Sequence, residues 1–198
     1  MAETVDTPTA ILASAAASLR EHTFDDISYR ALGDAVGVSE RTVYRQYPTR
    51  PHLLESLAGW IEDTEFRLPD FVTIPQFQSA VADRFRAFDA APAFAFVCAR
   101  AASISPTGDA EPTFLTRTIV AMLETAYPRL NDRDLHRAAA TLRYFASAQF
   151  WARMRTGFDM SARETAEVFD RTVERALAAL PAVTPADRLS PSMAQRQD

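Results

Sequence analysis

Apolar residues recur along most of this chain at the three- and four-residue spacing of an α-helix, and proline, glycine and short hydroxylic residues break the pattern at intervals. Ile11, Leu12, Ala15, Ala16 and Leu19 share one face of a first helix, with Thr7 as its cap and Pro8 in its first turn. A break at 22–26 follows, where Phe24 and Ile27 act as core plugs. Ser28 caps a short helix over 29–36 that Gly37 ends, and Ser39 caps another over 40–46. After Tyr47-Pro48-Thr49 a fourth helix spans 50–66.

Beyond Pro69 the predicted helices lengthen, to 75–90, 92–103, 111–126, 132–156 and 162–180. Ser161 and Glu164 form a capping box at the start of the last. Segments 71–74 and 94–98 hint at strands but are too short and isolated to build a sheet, so the expected fold is all-α. No internal repeat is visible. The layout predicts a three-helix reader over 1–50, a larger helical body over 51–182, and a flexible tail over 183–198.

The informative stretch runs from Ser28 to Leu54, SYRALGDAVGVSERTVYRQYPTRPHLL. Leu32, Val36, Val38 and Val43 are spaced to plug the angle between two short helices, and Gly37 supplies the positive φ that a tight turn needs. Glu40, Arg41, Thr42, Tyr44, Arg45 and Gln46 are then left on the outside of a slim polar helix, the form that enters a DNA major groove.

This stretch resembles the DNA-binding signature of the TetR family of transcriptional regulators. Gly37, Val38, Ser39, Thr42, Val43 and Tyr44 meet the family pattern, and Tyr47, Arg50 and the Leu53-Leu54 pair continue it. Thr23, Gly33 and Arg50 depart from it, standing where the family usually has glycine, alanine and lysine; Gly33 in mid-helix costs about 1 kcal/mol of helix propensity.

Chemistry and resemblance together imply the site roles. Arg41 and Arg45 read bases, since a guanidinium can hold guanine O6 and N7 with two hydrogen bonds. Arg30 reaches either a base edge or a phosphate. Thr42, Tyr44, Gln46 and Arg50 hold phosphates, and Ser28 sets its helix start against the backbone. Glu40 either accepts from cytosine or complements the helix dipole.

A reader this small covers about one half-site, so a homodimer on a palindromic double-stranded operator is expected. Leu135, Ala139, Leu142 and Ala146 form one apolar stripe, and Phe169, Val173, Ala176, Leu177 and Leu180 another. The resemblance implies that two such helices from each subunit pair across a four-helix interface. The alternative is that both stripes serve only the subunit core. The resemblance also implies a cavity for a small-molecule effector with an apolar part. Its candidate lining is Phe88, Phe96, Met122 and Tyr144, with polar contacts from Arg100, Gln149 and Arg153. The implied function is a repressor released from its operator by that effector.

Composition narrows the alternatives. The net charge of −5 counts against nucleic-acid binding only if taken over the whole chain, because phosphate contacts need a local patch. All 21 basic residues are Arg. One cysteine, Cys98, excludes an internal disulfide, and its apolar surroundings suit a small buried hydrophobe. His22, His52 and His136 share no metal-ligand spacing, and no acid–base or nucleophile constellation is apparent, so no cofactor, metal or enzymatic activity is expected. The Ala-rich run 10–19 follows Glu3 and Asp6 with no basic residue before Arg20, which argues against a signal peptide and for a cytoplasmic protein without membrane association. A helical protein-interaction module, or a small cytosolic enzyme without operator binding, are the alternatives.

Overall fold

Side-chain caps start the helices close to where the sequence marks them. The computed structural model describes residues 6–104 and 113–180, and the regular elements among them are all helical. They are α1 (Thr7–Ser18), a 3-10 turn (Phe24–Asp26), α2 (Tyr29–Val36), α3 (Glu40–Gln46), α4 (Arg50–Thr64), α5 (Ile74–Ala90), α6 (Pro92–Ile104), α7 (Phe114–Ala126), α8 (Asp132–Phe145), α9 (Ala148–Phe158) and α10 (Ala162–Ala178). Ser28, Ser39, Thr49, Thr73 and Ser161 each accept a backbone N–H of the helix that follows. At α1 the cap is Asp6 rather than Thr7, accepting from Thr9 N at 3.2 Å, which leaves Thr7 and Pro8 as the first two helical residues. The flexible tail expected over 183–198, and the helix start expected at 111, lie outside the described residues.

One helix expected over 132–156 is two. The chain breaks at Ala146–Ser147, where the Ser147 hydroxyl donates to Tyr144 O at 2.6 Å and accepts from Phe150 N at 3.2 Å. Side-chain phase explains the break. At roughly 100° per residue, a straight helix would put Trp151 half a turn away from Leu142. Both are at most 1% exposed, and only a break can turn both faces inward.

α4 joins the two parts of the molecule. It packs on α1 through the reader and most extensively on α6 through the body. In the body, α5 is the central strut, packed against α10, α6 and α9. Phe77, Phe85, Phe88, Trp151 and Phe169 are fully buried there, in ring contacts 5.5–6.2 Å apart. Each such side chain contributes roughly 1.5–3 kcal/mol by leaving water. Asp89, near the end of α5, binds two neighbours at once. Its carboxylate accepts Trp151 Nε1–H at 2.9 Å and the Ala162 amide at 3.0 Å, fixing α9 and the start of α10.

This packing corrects several expectations. Phe88 is fully buried in the core. Ala139, Leu142, Ala146, Phe169 and Val173, expected at a subunit interface, are at most 2% exposed within one chain, so their apolar surface is already spent on the protomer's own core. Leu135, Ala176, Leu177 and Leu180 remain partly exposed. No helix among the described residues is long and apolar enough to cross a membrane.

Cys98 is a buried packing group on α6, its thiol directed at Ala58 O across 3.7 Å. Burial pushes the thiol from 9.0 up to about 12. Its contribution to stability is complete below pH 9.0 and is lost as the pH climbs toward about 12. At pH 8 the buried thiol stays protonated. The native protein is therefore expected to resist a thiol-specific disulfide reagent at pH 8 and to react at once in denaturant; rapid labelling of the native state would contradict the burial.

Candidate nucleic-acid interface

The turn between α2 and α3 is built by two glycines with different tasks. Gly37 takes φ 72° and ends α2, the left-handed conformation that a side chain would strain. Gly33, one turn earlier, has the next strand of chain folded onto it. A Cβ there would lie 2.7 Å from the Val38 carbonyl oxygen and 3.3 Å from the Glu40 nitrogen. The helix-propensity cost of Gly33 is thus exchanged for a closer approach of the turn to α2. Ser39 then starts α3, its hydroxyl accepting from Thr42 N at 3.2 Å and lying 2.9 Å from the Thr42 hydroxyl.

With the turn so fixed, Val43 is the anchor of α3 and is 0% exposed. Glu40, Arg41, Tyr44 and Arg45 lie on the exposed part of the same short helix, while Thr42 and Gln46 are half-buried at its edges. Tyr44 is 51% exposed, and its ring stands edge-on to the buried Tyr29 at 4.4 Å. That contact braces the exposed ring of Tyr44 against a buried one, a pairing for which the sequence pattern contains no signal. On α2, Arg30 is exposed, and its Nε lies 4.0 Å from Asp34, a solvent-screened pair of little energetic weight. Ser28 keeps its capping role, accepting from Ala31 N at 3.1 Å. Residues 28–46 present three exposed arginines, Arg30, Arg41 and Arg45, against two carboxylates, a slight basic excess inside a chain of net charge −5.

Arg50 has a different task from the one expected. One guanidinium nitrogen donates to Ile27 O at 2.6 Å and another donates to Phe24 O, and the group lies over the Phe24 ring at 4.2 Å. Its donors are used inside the protein, where they fasten the start of α4 to the 3-10 turn and are not free for the expected phosphate contact. Tyr47 packs into the core, 5% exposed with its hydroxyl donating to Pro8 O at 3.1 Å.

Five of the seven residues expected to line an effector cavity lie together. Phe96, Arg100, Tyr144, Gln149 and Arg153 line an open cleft of about 520 Å³ between α6 and α9. Gln149 Nε2 donates to Ser103 Oγ across it at 3.1 Å. Met122 lies elsewhere, in a groove with Phe71, Val72 and Phe114. Arg100 also faces the reader. Its guanidinium holds both Asp25 oxygens, at 2.8 and 3.0 Å, and keeps that carboxyl below its usual range. This link joins residues 75 positions apart, which is why no local pattern announces it. Among the described residues no group of three or more His, Cys, Asp and Glu is placed to hold a metal.

Comparison with known proteins bears on residues 11–57, which match the family model described as bacterial regulatory proteins, tetR family. Among solved structures, a TetR transcriptional regulator from Rhodococcus sp. RHA1 superposes with a TM-score of 0.66 at 16% identity, covering 88% of this chain and 97% of that one. A putative transcriptional regulator from Pseudomonas aeruginosa PAO1 superposes with a TM-score of 0.50 at 16% identity, covering 87% and 90%. At these identities the likeness is one of fold. No curated protein matches.

Two substitutions test the local reading. Gly33→Ala gains about 1 kcal/mol of helix propensity but must displace backbone, a strain of roughly 1–3 kcal/mol, so thermal unfolding should occur at lower temperature. A more stable variant would show that the turn does not need the close approach. Arg50→Ala strips charged donors from two carbonyls and should cost about 2 kcal/mol in denaturant unfolding. Unchanged stability together with weakened DNA binding would restore the phosphate role.

Proposed function

Residues 11–57 match the family model of bacterial regulatory proteins, tetR family, and from that match we propose that the chain is a DNA-binding transcriptional regulator, a homodimeric repressor released from a palindromic operator by a small-molecule effector. One observation carries the reading: on α3 the only fully buried side chain is Val43, so Glu40, Arg41, Tyr44 and Arg45 all face solvent on a helix slim enough for a major groove.

In this mechanism Arg41 and Arg45 read guanine edges, and Glu40 sits at the positive end of the same helix, next to a base or the dipole it complements. Thr42, Tyr44 and Gln46 contact phosphates on either side, and Arg30 and Ser28 approach the backbone from the start of α2. Each copy covers one half-site, so the affinity comes from two readers held at a set spacing. The partly exposed Leu135, Ala176, Leu177 and Leu180, on α8 and at the end of α10, supply the apolar part of the subunit contact.

Release requires that the effector favour a body conformation in which the two readers no longer meet successive grooves. The reader is tied to the body where such a change would be felt. Arg100 on α6 grips Asp25 in the reader, and Arg50 on α4 grips the carbonyls on either side of it. The protein acts in the cytoplasm, where its operator is.

Selection of random duplexes by the purified protein should yield an inverted repeat. Arg41→Ala and Arg45→Ala should each lower affinity for that sequence by ~1–3 kcal/mol and relax one position of it; selection of no consensus, or one indifferent to both variants, would overturn the reader assignment. Leu177→Asp should sediment as a monomer and bind a half-site about as weakly as the full site. A dimer of unchanged stability would move the interface elsewhere.

A further inference from the structure

A second cavity, of about 590 Å³, opens between α4, α5, α7 and α8, a volume in the range of small-molecule sites. Phe66, Phe71, Phe114 and Leu115 form apolar wall, and Arg84 and Arg143 also line it. The side chain of Arg84 is 5% exposed. One of its nitrogens meets Glu62 at 3.1 Å, but Nε is buried without a hydrogen-bond partner. Arg143 brings a second guanidinium, which forms no ion pair among the described residues. Burial and the Arg84 charge hold Arg143 below its ordinary range, and Glu62 only partly offsets them.

The inner surface therefore carries two cations for one carboxylate. Asp63, Asp70 and Arg67 also line the cavity, but all three are exposed, so water screens them. A buried guanidinium with an unused donor is costly unless an acceptor reaches it. Phe71, Phe114 and Thr118 are shared with the adjoining groove of about 350 Å³ that leads to Met122. Phe114 is 63% exposed at this junction.

The geometry points to this cavity as a site for an amphiphilic organic anion, its carboxylate or sulfonate between Arg84 and Arg143 and its apolar body along Phe71 and Phe114 toward Met122. That such an anion is the effector rests on the regulator reading; the site itself is tested on DNA-free protein. The α6–α9 cleft is then not the place where the anion binds.

Two fluorescent probes of one ring framework separate the possibilities: 8-anilino-1-naphthalenesulfonate, an anion, and N-phenyl-1-naphthylamine, its uncharged counterpart. The full chain should bind the anion saturably, one per protomer, about tenfold or more tighter than the neutral amine. Arg143→Gln should remove that preference while leaving the amine within threefold, and Arg143→Lys should retain most of it. Phe114→Ala, at an exposed position, should weaken both probes, and Tyr144→Ala in the other cleft neither. Equal affinity of the unmodified protein for the two probes would overturn the inference whether or not any variant folds. Loss of anion binding in Tyr144→Ala with retention in Arg143→Gln would overturn it too. Failure here with palindrome selection intact removes the anion site alone. Anion binding without any DNA consensus removes the regulator reading alone.

Discussion

The close packing of the turn against Gly33 is the contact on which the reader depends. With no Cβ on Gly33, the Val38 carbonyl can approach α2 to a distance that alanine would not allow, and Gly37 turns the chain there with a positive φ. α3 then begins at Ser39 in a fixed direction, Val43 enters the core, and the arginines on either side of it have only solvent to face. The polar surface of α3 follows from the placement of its one apolar anchor.

The reader is also fastened to the body. Arg50 at the start of α4 holds the carbonyls of Phe24 and Ile27, and Arg100 on α6 holds the carboxylate of Asp25 between them. Both guanidinium groups lie near the Phe24 ring, at 4.2 and 5.7 Å. The joining helix α4 and α6 of the body thus converge on one 3-10 turn of the reader. Farther along, Asp89 locks α9 and α10 to α5, so a ligand that moved one of these helices would disturb the others as well. Such a path gives the proposed release a physical route from body to operator.

Features set by neighbours in sequence are legible in the chain itself. Ser28, Gly37 and Ser39 fix the bounds of two helices, and the outward set from Glu40 to Gln46 follows from periodicity alone. Features set by distant contacts are not. Ser147 looks like an ordinary residue in a long helix until Trp151 and Leu142 are both seen to need the core. Arg50 carries the charge of a phosphate ligand, yet its partners lie 23 and 26 positions away. The apolar stripes of α8 and α10 were real, but periodicity shows that a face is buried without showing against what. Ala139 and Phe169 meet their own protomer, while Leu177 still has surface to spare. The expected effector lining divided among core, cleft and groove for the same reason.

The central claim, that α3 lies in a major groove with its arginines on guanine edges, is tested most directly by methylation protection of guanine N7 on a duplex the protein selects. The account predicts protection of guanines in two half-sites one helical turn or a multiple apart, with one position in each exposed again when Arg41 is replaced by alanine. Guanine N7 atoms left fully reactive in the bound duplex would contradict it.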